Sequence, residues 1–316
     1  MRLKKIYRFV ALVIFLLIIG LGAFAWYMLD LTLAMTHRGQ DIEGSYREMR
    51  DRYPTLGSWI DSLRNVSALR DTFITAKDGT KLHGYYVRAA VPTAKTAVIV
   101  HGYTDNAIRM MMIGEVYHRH LHYNILLPDL RHAGLSEGGH IQMGWLDRFD
   151  VARWVDETPS IFGDSARVVV HGISMGAATT MMYSGEDPSE RVKVFVPDCG
   201  YTSVWDQFAY RLKVEYGLPT FPILNAADII CQWRYGWGFK EASSLNQIVR
   251  CDRPMLFIHG AEDDYVPTEM AYRLYDMKPG IKELWIAPRS AHAVAYLDHP
   301  QEYISRVKTF VDPYMQ

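Results

Sequence analysis

The pattern of apolar and polar residues divides the chain into three parts. Residues 9–29 form one uncharged apolar run, residues 31–68 are mixed and rich in charges, and from residue 69 onward short apolar runs alternate with segments of helical length. An apolar run of about 20 residues can cross the hydrocarbon core of a bilayer as a helix. The pattern therefore predicts a transmembrane segment over 1–30, a stalk with one or two short helices, and a globular domain over 69–316.

The charges around the apolar run predict its orientation. Four basic residues precede it: Arg2, Lys4, Lys5 and Arg8. The first acid after it is Asp30, so the positive-inside rule places the N-terminus in the cytoplasm and the rest of the chain outside it. A secreted protein is the alternative, because Ala23-Phe24-Ala25 resembles a signal-peptide cleavage site near Ala25. A buried core helix is a third interpretation of the same run.

The apolar runs of the globular domain predict a mostly parallel sheet. Two short runs, 69–76 and 82–88, flank Asp78-Gly79 and indicate a β-hairpin. Six further runs show little polar alternation, which is typical of strands buried on both faces. These runs are 96–102, 124–130, 167–172, 192–198, 254–260 and 282–288. Helical segments separate most of them, so the predicted fold class is α/β, with helices on both faces of the sheet.

Composition and charge exclude several classes of protein. The chain has 34 basic and 35 acidic residues, and no basic run lies outside the extreme N-terminus, so a nucleic-acid partner is not expected. Cys199, Cys231 and Cys251 are too few and too scattered for a disulfide framework or a thiolate metal site. The histidines at 118, 120 and 122 have no acid or cysteine nearby, and side chains two apart on a helix do not share a face. We expect no metal and no organic cofactor.

Candidate catalytic residues follow three of the predicted strands, where ligands bind in a parallel α/β sheet. Ser174 lies between Gly172 and Gly176, which permit a tight strand-to-helix turn with an exposed hydroxyl. Asp263 and His292 come later, each after its own strand, in the order serine, acid, histidine. On the G-x-S-x-G pattern alone, an ordinary serine at a helix N-terminus would be favoured.

From residue 69 to the C-terminus, the chain resembles the α/β-hydrolases of the serine esterase and peptidase type. The motifs that carry the resemblance are Gly172-Ile173-Ser174-Met175-Gly176, His101-Gly102-Tyr103, the block from His259 to Pro267, and Ser290-Ala291-His292. A further segment, 129–136, is similar to the family's D-x-R-G-x-G-x-S, but it has His132 where the family usually has glycine. That departure makes the local turn uncertain and leaves the catalytic assignment intact.

The resemblance implies a role for each candidate residue. Ser174 would be the nucleophile, His292 the general base and acid, and Asp263 the group that orients the imidazole. The backbone N–H groups of Tyr103 and Met175 would form the oxyanion hole. Glu262 and Asp264 compete with Asp263 for its role, and only its place in the motif favours Asp263.

Residues 203–250 are longer than a simple crossover and are rich in aromatic residues, which predicts a small helical cap over the carboxyl edge of the sheet. The alternative is that these aromatic residues only pack an inserted helix pair. The expected function is that of a membrane-anchored serine hydrolase that cleaves carboxylic esters, of the EC 3.1.1 type, in small-molecule or peptidic acyl substrates. A peptidase or amidase of the same fold, of the EC 3.4 type, is less favoured because no propeller domain precedes the core. A non-catalytic binding protein on the same fold is the third possibility.

Overall fold

The computed structural model describes residues 2–35 and 37–316. The strands are β1 Arg70–Thr75, β2 Lys81–Val87, β3 Lys95–Val100, β4 Asn124–Pro128, β5 Arg167–Ile173, β6 Val192–Asp198, β7 Met255–Gly260 and β8 Lys282–Ala287. The helices are α1 Arg2–Leu33, α2 Ile42–Arg52, α3 Pro54–Asn65, α4 Met111–Glu115, α5 Asp147–Phe162, α6 Met175–Ser184, α7 Val204–Tyr216, α8 Ile223–Tyr235, α9 Ser244–Ile248, α10 Glu269–Met277, α11 Ala295–Asp298 and α12 Pro300–Val311.

The eight strands form one sheet in the order β1-β2-β4-β3-β5-β6-β7-β8. The hairpin β1–β2 and the pair β2–β4 are antiparallel, and all the other pairs are parallel. Each predicted apolar run overlaps one of these strands, with boundaries that agree to within two residues. The predicted fold class, a mostly parallel sheet in an α/β arrangement, is therefore confirmed.

The strands have continuous apolar runs because both faces of the sheet are covered. In β5, Val168 and Val170 pack into one hydrophobic cluster, while Val169 packs into the cluster on the opposite face. Helices α5 and α6 contribute to the first cluster, and α3 and α12 contribute to the second. Because both sets of alternating side chains are buried, most positions in the strand are apolar, which explains the absence of a period of two in the sequence.

The segment predicted as a stalk with one or two short helices contains two, and the second begins at Pro54, as a proline at the first helical position allows. Both helices pack on the domain. Tyr46 and Met49 of α2 and Leu56 and Ile60 of α3 are buried in the second cluster. Their spacing of three and four residues gives each helix one apolar face; α2 packs on residues 107–110, and α3 packs on α4. The domain boundaries themselves stay predictions.

Helix α1 has an exposed part and a packed part. Residues 3–20 are exposed along their whole length, while Ala25, Leu29 and Leu33, one turn apart, are buried in the first cluster. Within the described residues, α1 is the one helix long and apolar enough to cross a membrane, by length and composition alone, and a signal sequence would satisfy the same criteria.

Candidate functional site

Ser174 occupies a strained turn between β5 and α6. Its φ angle is +57°, in a region that residues with a side chain rarely adopt. The turn is tight because its neighbours have no side chains: a Cβ on Gly172 would lie 2.1 Å from the carbonyl oxygen of Gly176, and a Cβ on Gly176 would lie 2.1 Å from that of Val100. The Ser174 amide donates to the carbonyl of Asp198 at 2.8 Å, which ties the turn to β6.

The structure brings Ser174, His292 and Asp263 together in one hydrogen-bonded chain. His292 Nε2 lies 2.8 Å from Ser174 Oγ, and His292 Nδ1 lies 2.7 Å from Asp263 Oδ2. The three residues follow β5, β8 and β7, whose carboxyl ends meet at the same edge of the sheet. In this arrangement the imidazole can accept the hydroxyl proton, and the carboxylate can hold the other ring nitrogen in its protonated form.

Asp263 is the acid that contacts His292, whereas Glu262 and Asp264 are exposed. Its second oxygen accepts hydrogen bonds from the amides of Tyr265, at 3.0 Å, and Val266, at 2.8 Å. Burial disfavours the charged carboxylate, but hydrogen bonds from His259 and His292 outweigh that effect and lower the pKa of Asp263 below its ordinary value. Asp263 is therefore ionised and held in place from both sides.

The loop after β3 lies directly beside Ser174. A Cβ on Gly102 would be 3.4 Å from the Cβ of Ser174, and Tyr103 and Met175 line the same cavity as the serine. Among the residues that the structure describes, neither the Tyr103 nor the Met175 amide donates to a protein acceptor. Two free donors beside a hydroxyl are the arrangement that an oxyanion hole requires.

His101 holds this loop in place. Its Nδ1 contacts the carbonyl of Gly102 at 2.8 Å, and its Nε2 accepts a hydrogen bond from the Leu130 amide at 2.9 Å. Burial lowers the pKa of His101, which keeps the ring neutral and suits one donor and one acceptor nitrogen. Through these contacts His101 fixes the loop after β3 to the segment after β4.

The turn over 129–136, left uncertain by the sequence, has His132 at a φ of +64°. A left-handed backbone at this position explains why a glycine would fit it without strain. The turn is stabilised by Asp129, whose carboxylate accepts from the amides of Ala107 and Leu135 and contacts His83 Nδ1 at 2.6 Å. These hydrogen bonds to the Asp129 carboxylate therefore fix the turn without a glycine at 132.

Two cavities meet at Ser174. One, of about 300 Å³, has a mostly apolar lining from α1, α7 and α8, with Met28, Phe208 and Leu224 among its residues. The other, of about 340 Å³, is more polar and includes Arg38, Arg52, Asp105 and Arg109 beside His292. The predicted cap segment thus borders the serine, as its location suggested. The sequence did not predict that α1 lines this cavity, because the apolar residues of α1 were already explained by a membrane span.

A buried polar network lies beneath the turn. The Tyr303 hydroxyl donates to Asp198 Oδ2 at 2.8 Å, and its oxygen lies 3.0 Å from His171 Nε2. The Tyr117 hydroxyl oxygen lies 3.1 Å from His171 Nδ1. These contacts assign the proton of neutral His171 to Nε2, with Tyr117 donating to Nδ1. Burial lowers the pKa of His171 to about 3 and raises that of Asp198 to about 6. The network supports the strand whose end carries the serine.

Among the described residues, Cys199, Asp263 and His292 place ligand-type atoms within 4.8 Å of one another. A metal there would need a thiolate, and burial raises the pKa of Cys199 well above its ordinary value. Asp263 and His292 already share a hydrogen bond. The donor set therefore suits hydrogen bonding better than metal coordination.

The sheet order, the strained turn after β5 and the cap at the carboxyl edge define an α/β-hydrolase fold. The chain belongs to the prolyl oligopeptidase family, whose family model matches residues 142–316. That stretch contains the serine turn, the cap and both partners of Ser174. The protein is therefore a hydrolase of the α/β-hydrolase superfamily.

Several known proteins are similar to this chain. The uncharacterised protein YqkD of Bacillus subtilis is 34% identical over 234 residues, which cover 74% of this chain and 76% of that protein. An esterase of Pyrococcus furiosus has the same fold, with a TM-score of 0.65, 23% identity, and coverage of 80% of this chain and 96% of its own. The acylaminoacyl peptidase of Pyrococcus horikoshii matches with a TM-score of 0.55, 18% identity, and coverage of 78% of this chain but 41% of its own.

Proposed function

We propose that the protein is a membrane-anchored serine hydrolase that cleaves carboxylic esters through an acyl-enzyme. The observation that carries the proposal is the hydrogen-bonded chain from Asp263 through His292 to Ser174. The strained backbone at Ser174 adds support, because strain of this kind persists where the surrounding structure holds a functional group in position.

In the proposed reaction, Ser174 Oγ attacks the ester carbonyl while His292 Nε2 accepts the hydroxyl proton. The amides of Tyr103 and Met175 stabilise the oxyanion of the tetrahedral intermediate, where loss of one donor typically costs about 2.7–4 kcal/mol. The intermediate collapses as His292 returns the proton to the departing alcohol, which leaves Ser174 acylated. His292 then accepts a proton from a water molecule as the water attacks the acyl group, and it returns that proton to Ser174 Oγ as the second tetrahedral intermediate collapses to the acid and the free serine.

The apolar cavity beside Ser174 supports an acyl ester as the substrate, because an acyl chain needs a pocket without buried polar partners. The similarity to an esterase fold agrees with this choice. The second candidate is cleavage of amide bonds, which the family match and the similarity to an acylaminoacyl peptidase favour. The same three residues would serve that reaction, so substrate profiling has to separate the two.

The packing of α1 supports an anchor that is retained. Ala25 is buried and lies inside a continuous helix, so cleavage after this residue would cut through packed structure. The basic residues before the apolar run support a cytoplasmic N-terminus with the hydrolase domain on the other side of the membrane.

The test uses the full-length protein in detergent. Wild type, Ser174→Ala and the exposed control Ser58→Ala are incubated with a fluorophosphonate probe, with p-nitrophenyl esters of graded acyl length and with peptidyl p-nitroanilides. We expect labelling and ester turnover in wild type and Ser58→Ala, and neither in Ser174→Ala. Faster cleavage of the anilides would select the peptidase alternative. Equal labelling of all three variants, or none in any, would refute the role of Ser174.

A further inference from the structure

The apolar cavity opens beside the C-terminal end of α1. Its inner residues Met175, Leu224 and Phe239 are buried, whereas its rim includes Leu31, which is 41% exposed, and Tyr216, which is 51% exposed. Leu31 comes two residues after the uncharged apolar run ends at Leu29. At a rise of about 1.5 Å per residue, the opening lies about 3 Å along the helix axis from the end of that run.

The cap presents an exposed apolar face next to the same part of α1. Ile229 and Trp233 lie one turn apart on α8 and are 66% and 77% exposed, and Phe221, just before the helix, is 75% exposed. Large exposed apolar residues that are grouped on one structural element mark a site of interaction. We call Phe221, Ile229 and Trp233 the cap face.

The cap face meets the apolar run of α1 at Trp233. The ring centroids of Trp233 and Trp26 are 6.0 Å apart, and the Arg234 guanidinium lies 4.5 Å from the Trp26 ring centroid while it pairs with Asp30. Tryptophan residues concentrate where the hydrocarbon core meets the headgroups, and arginine side chains near that level extend their charged groups to the interface. If α1 spans the membrane, Trp233 lies at the depth of Trp26, at the bilayer surface.

We propose that the cap face rests in the bilayer surface and that the substrate is a membrane-borne acyl ester, whose chain enters the apolar cavity directly from the bilayer. This inference rests on the proposed function, and it specifies the substrate class and its route. The acyl chain would pass between Leu31 and Tyr216, and its ester carbonyl would reach Ser174 at the inner end. The cavity volume of about 300 Å³ lies at the lower end of the range of ligand pockets.

The test compares substrate in the same bilayer with substrate in a different one. Full-length protein is reconstituted into phosphatidylcholine–phosphatidylglycerol vesicles, and 4-methylumbelliferyl oleate is supplied either in these vesicles or in separate protein-free vesicles. Water-soluble 4-nitrophenyl acetate serves as the reference substrate. We expect at least about tenfold faster oleate hydrolysis from the same vesicles, because a long acyl chain leaves a bilayer slowly and lateral access avoids that step.

The cap face is then changed to Phe221→Ser, Ile229→Ser and Trp233→Ser together. The matched control is Val91→Ser, Met277→Ser and Ile281→Ser, three exposed apolar residues in segments that precede strands, at the opposite edge of the sheet from Ser174. We expect the first triple variant to lose at least fivefold in oleate hydrolysis within one bilayer and to keep acetate hydrolysis within twofold. The control should keep both activities.

Equal oleate rates from the two kinds of vesicle, or equal losses of oleate and acetate hydrolysis in the cap-face variant, would overturn the lateral route and leave the proposed esterase intact. Absence of turnover of both esters by the wild type would overturn the proposed function, and this inference with it. Failure of the wild type to stay with the vesicles would overturn the membrane anchor.

Discussion

The phenolic hydroxyl of Tyr103 donates a hydrogen bond to the backbone carbonyl of Thr32, at a distance of 2.6 Å. Thr32 lies in the last turn of α1, where carbonyl groups have no partner within the helix. The loop whose amide borders Ser174 is thus attached to the end of the apolar helix. This contact gives α1 a structural role at the site in addition to its proposed role in the membrane.

Tyr103→Phe should therefore lower kcat by a factor of up to about ten, because a typical intramolecular hydrogen bond contributes about 0.5–1.5 kcal/mol and its loss frees the loop. The backbone amide that would bind the oxyanion stays in place, so activity should not vanish. Turnover of 4-nitrophenyl butyrate by the full-length protein measures the effect. Tyr272→Phe, which changes an exposed tyrosine on α10, is the control, and an unchanged kcat in Tyr103→Phe would contradict the coupling.

Substitutions at three neighbouring acids should separate their roles. Asp263→Asn should reduce kcat/KM by about four orders of magnitude, because an amide favours the wrong tautomer of His292. Glu262→Gln and Asp264→Asn, which change exposed side chains, should stay within about threefold of wild type. Steady-state kinetics on one ester substrate measures kcat/KM for wild type and the three variants. An inactive Asp264→Asn variant together with an active Asp263→Asn variant would show that Asp264, not Asp263, orients His292.

Asp147 should make the stability of the domain depend on pH. Burial, with a smaller contribution from Asp150, raises the pKa of Asp147 to about 7. The folded protein then keeps a proton that the unfolded chain releases near pH 4, so the free energy of unfolding falls as the pH rises from about 4 to 7 and then levels off. Between pH 5 and pH 8 the loss attributable to this residue is roughly 2–3 kcal/mol.

Asp147→Asn should remove that part of the pH dependence, since an amide oxygen can still accept the hydrogen bond from the Gly144 amide. Urea unfolding of the full-length protein in detergent at pH 5 and pH 8 measures it. Asp156→Asn, an exposed change on the same helix, is the control. If Asp147→Asn and wild type lose equal stability over this range, the buried carboxyl is not the cause.

Gly176→Ala should prevent normal folding of the serine turn. The added methyl group would lie 2.1 Å from the carbonyl oxygen of Val100, so the backbone of β3 or α6 would have to move. We expect a loss of at least about 3 kcal/mol in the free energy of unfolding, together with loss of fluorophosphonate labelling. Gly139→Ala, where the methyl group would meet nothing within 4 Å, should behave as wild type in both assays.

The sheet could be predicted from the sequence because a strand buried on both faces leaves a local record, an apolar run without alternation. The local sequence pattern did not indicate which elements α1, α2 and α3 pack against. The apolar face of α3, with Leu56 and Ile60, was visible as spacing, but spacing does not say which surface it covers. The α1 residues Ala25 and Leu29 looked like membrane residues, and their packing against the cap depends on contacts with residues some 200 positions away.

The same distinction holds for the candidate site. Ser174, Asp263 and His292 each follow a strand, so the topology of the sheet places them together once the strands are known. The network around His171 could not be predicted, because Tyr117 and Tyr303 lie on two separate helical segments and only the assembled core brings their hydroxyls to one ring. The catalytic roles of Ser174, Asp263 and His292 stay predictions until the variants are measured.

Helix α1 is continuous from Arg2 to Leu33, and its final turns are fixed to the cap by Leu29, Leu33 and the pair Asp30–Arg234. No break in the helix separates the exposed part from the packed part, so the two must rotate as one body. A helix tilts to match the thickness of the bilayer around it. If α1 spans a membrane, a change in bilayer thickness would therefore turn the whole hydrolase domain and raise or lower the opening beside Leu31, which would make lipid composition a mechanical control on access to Ser174.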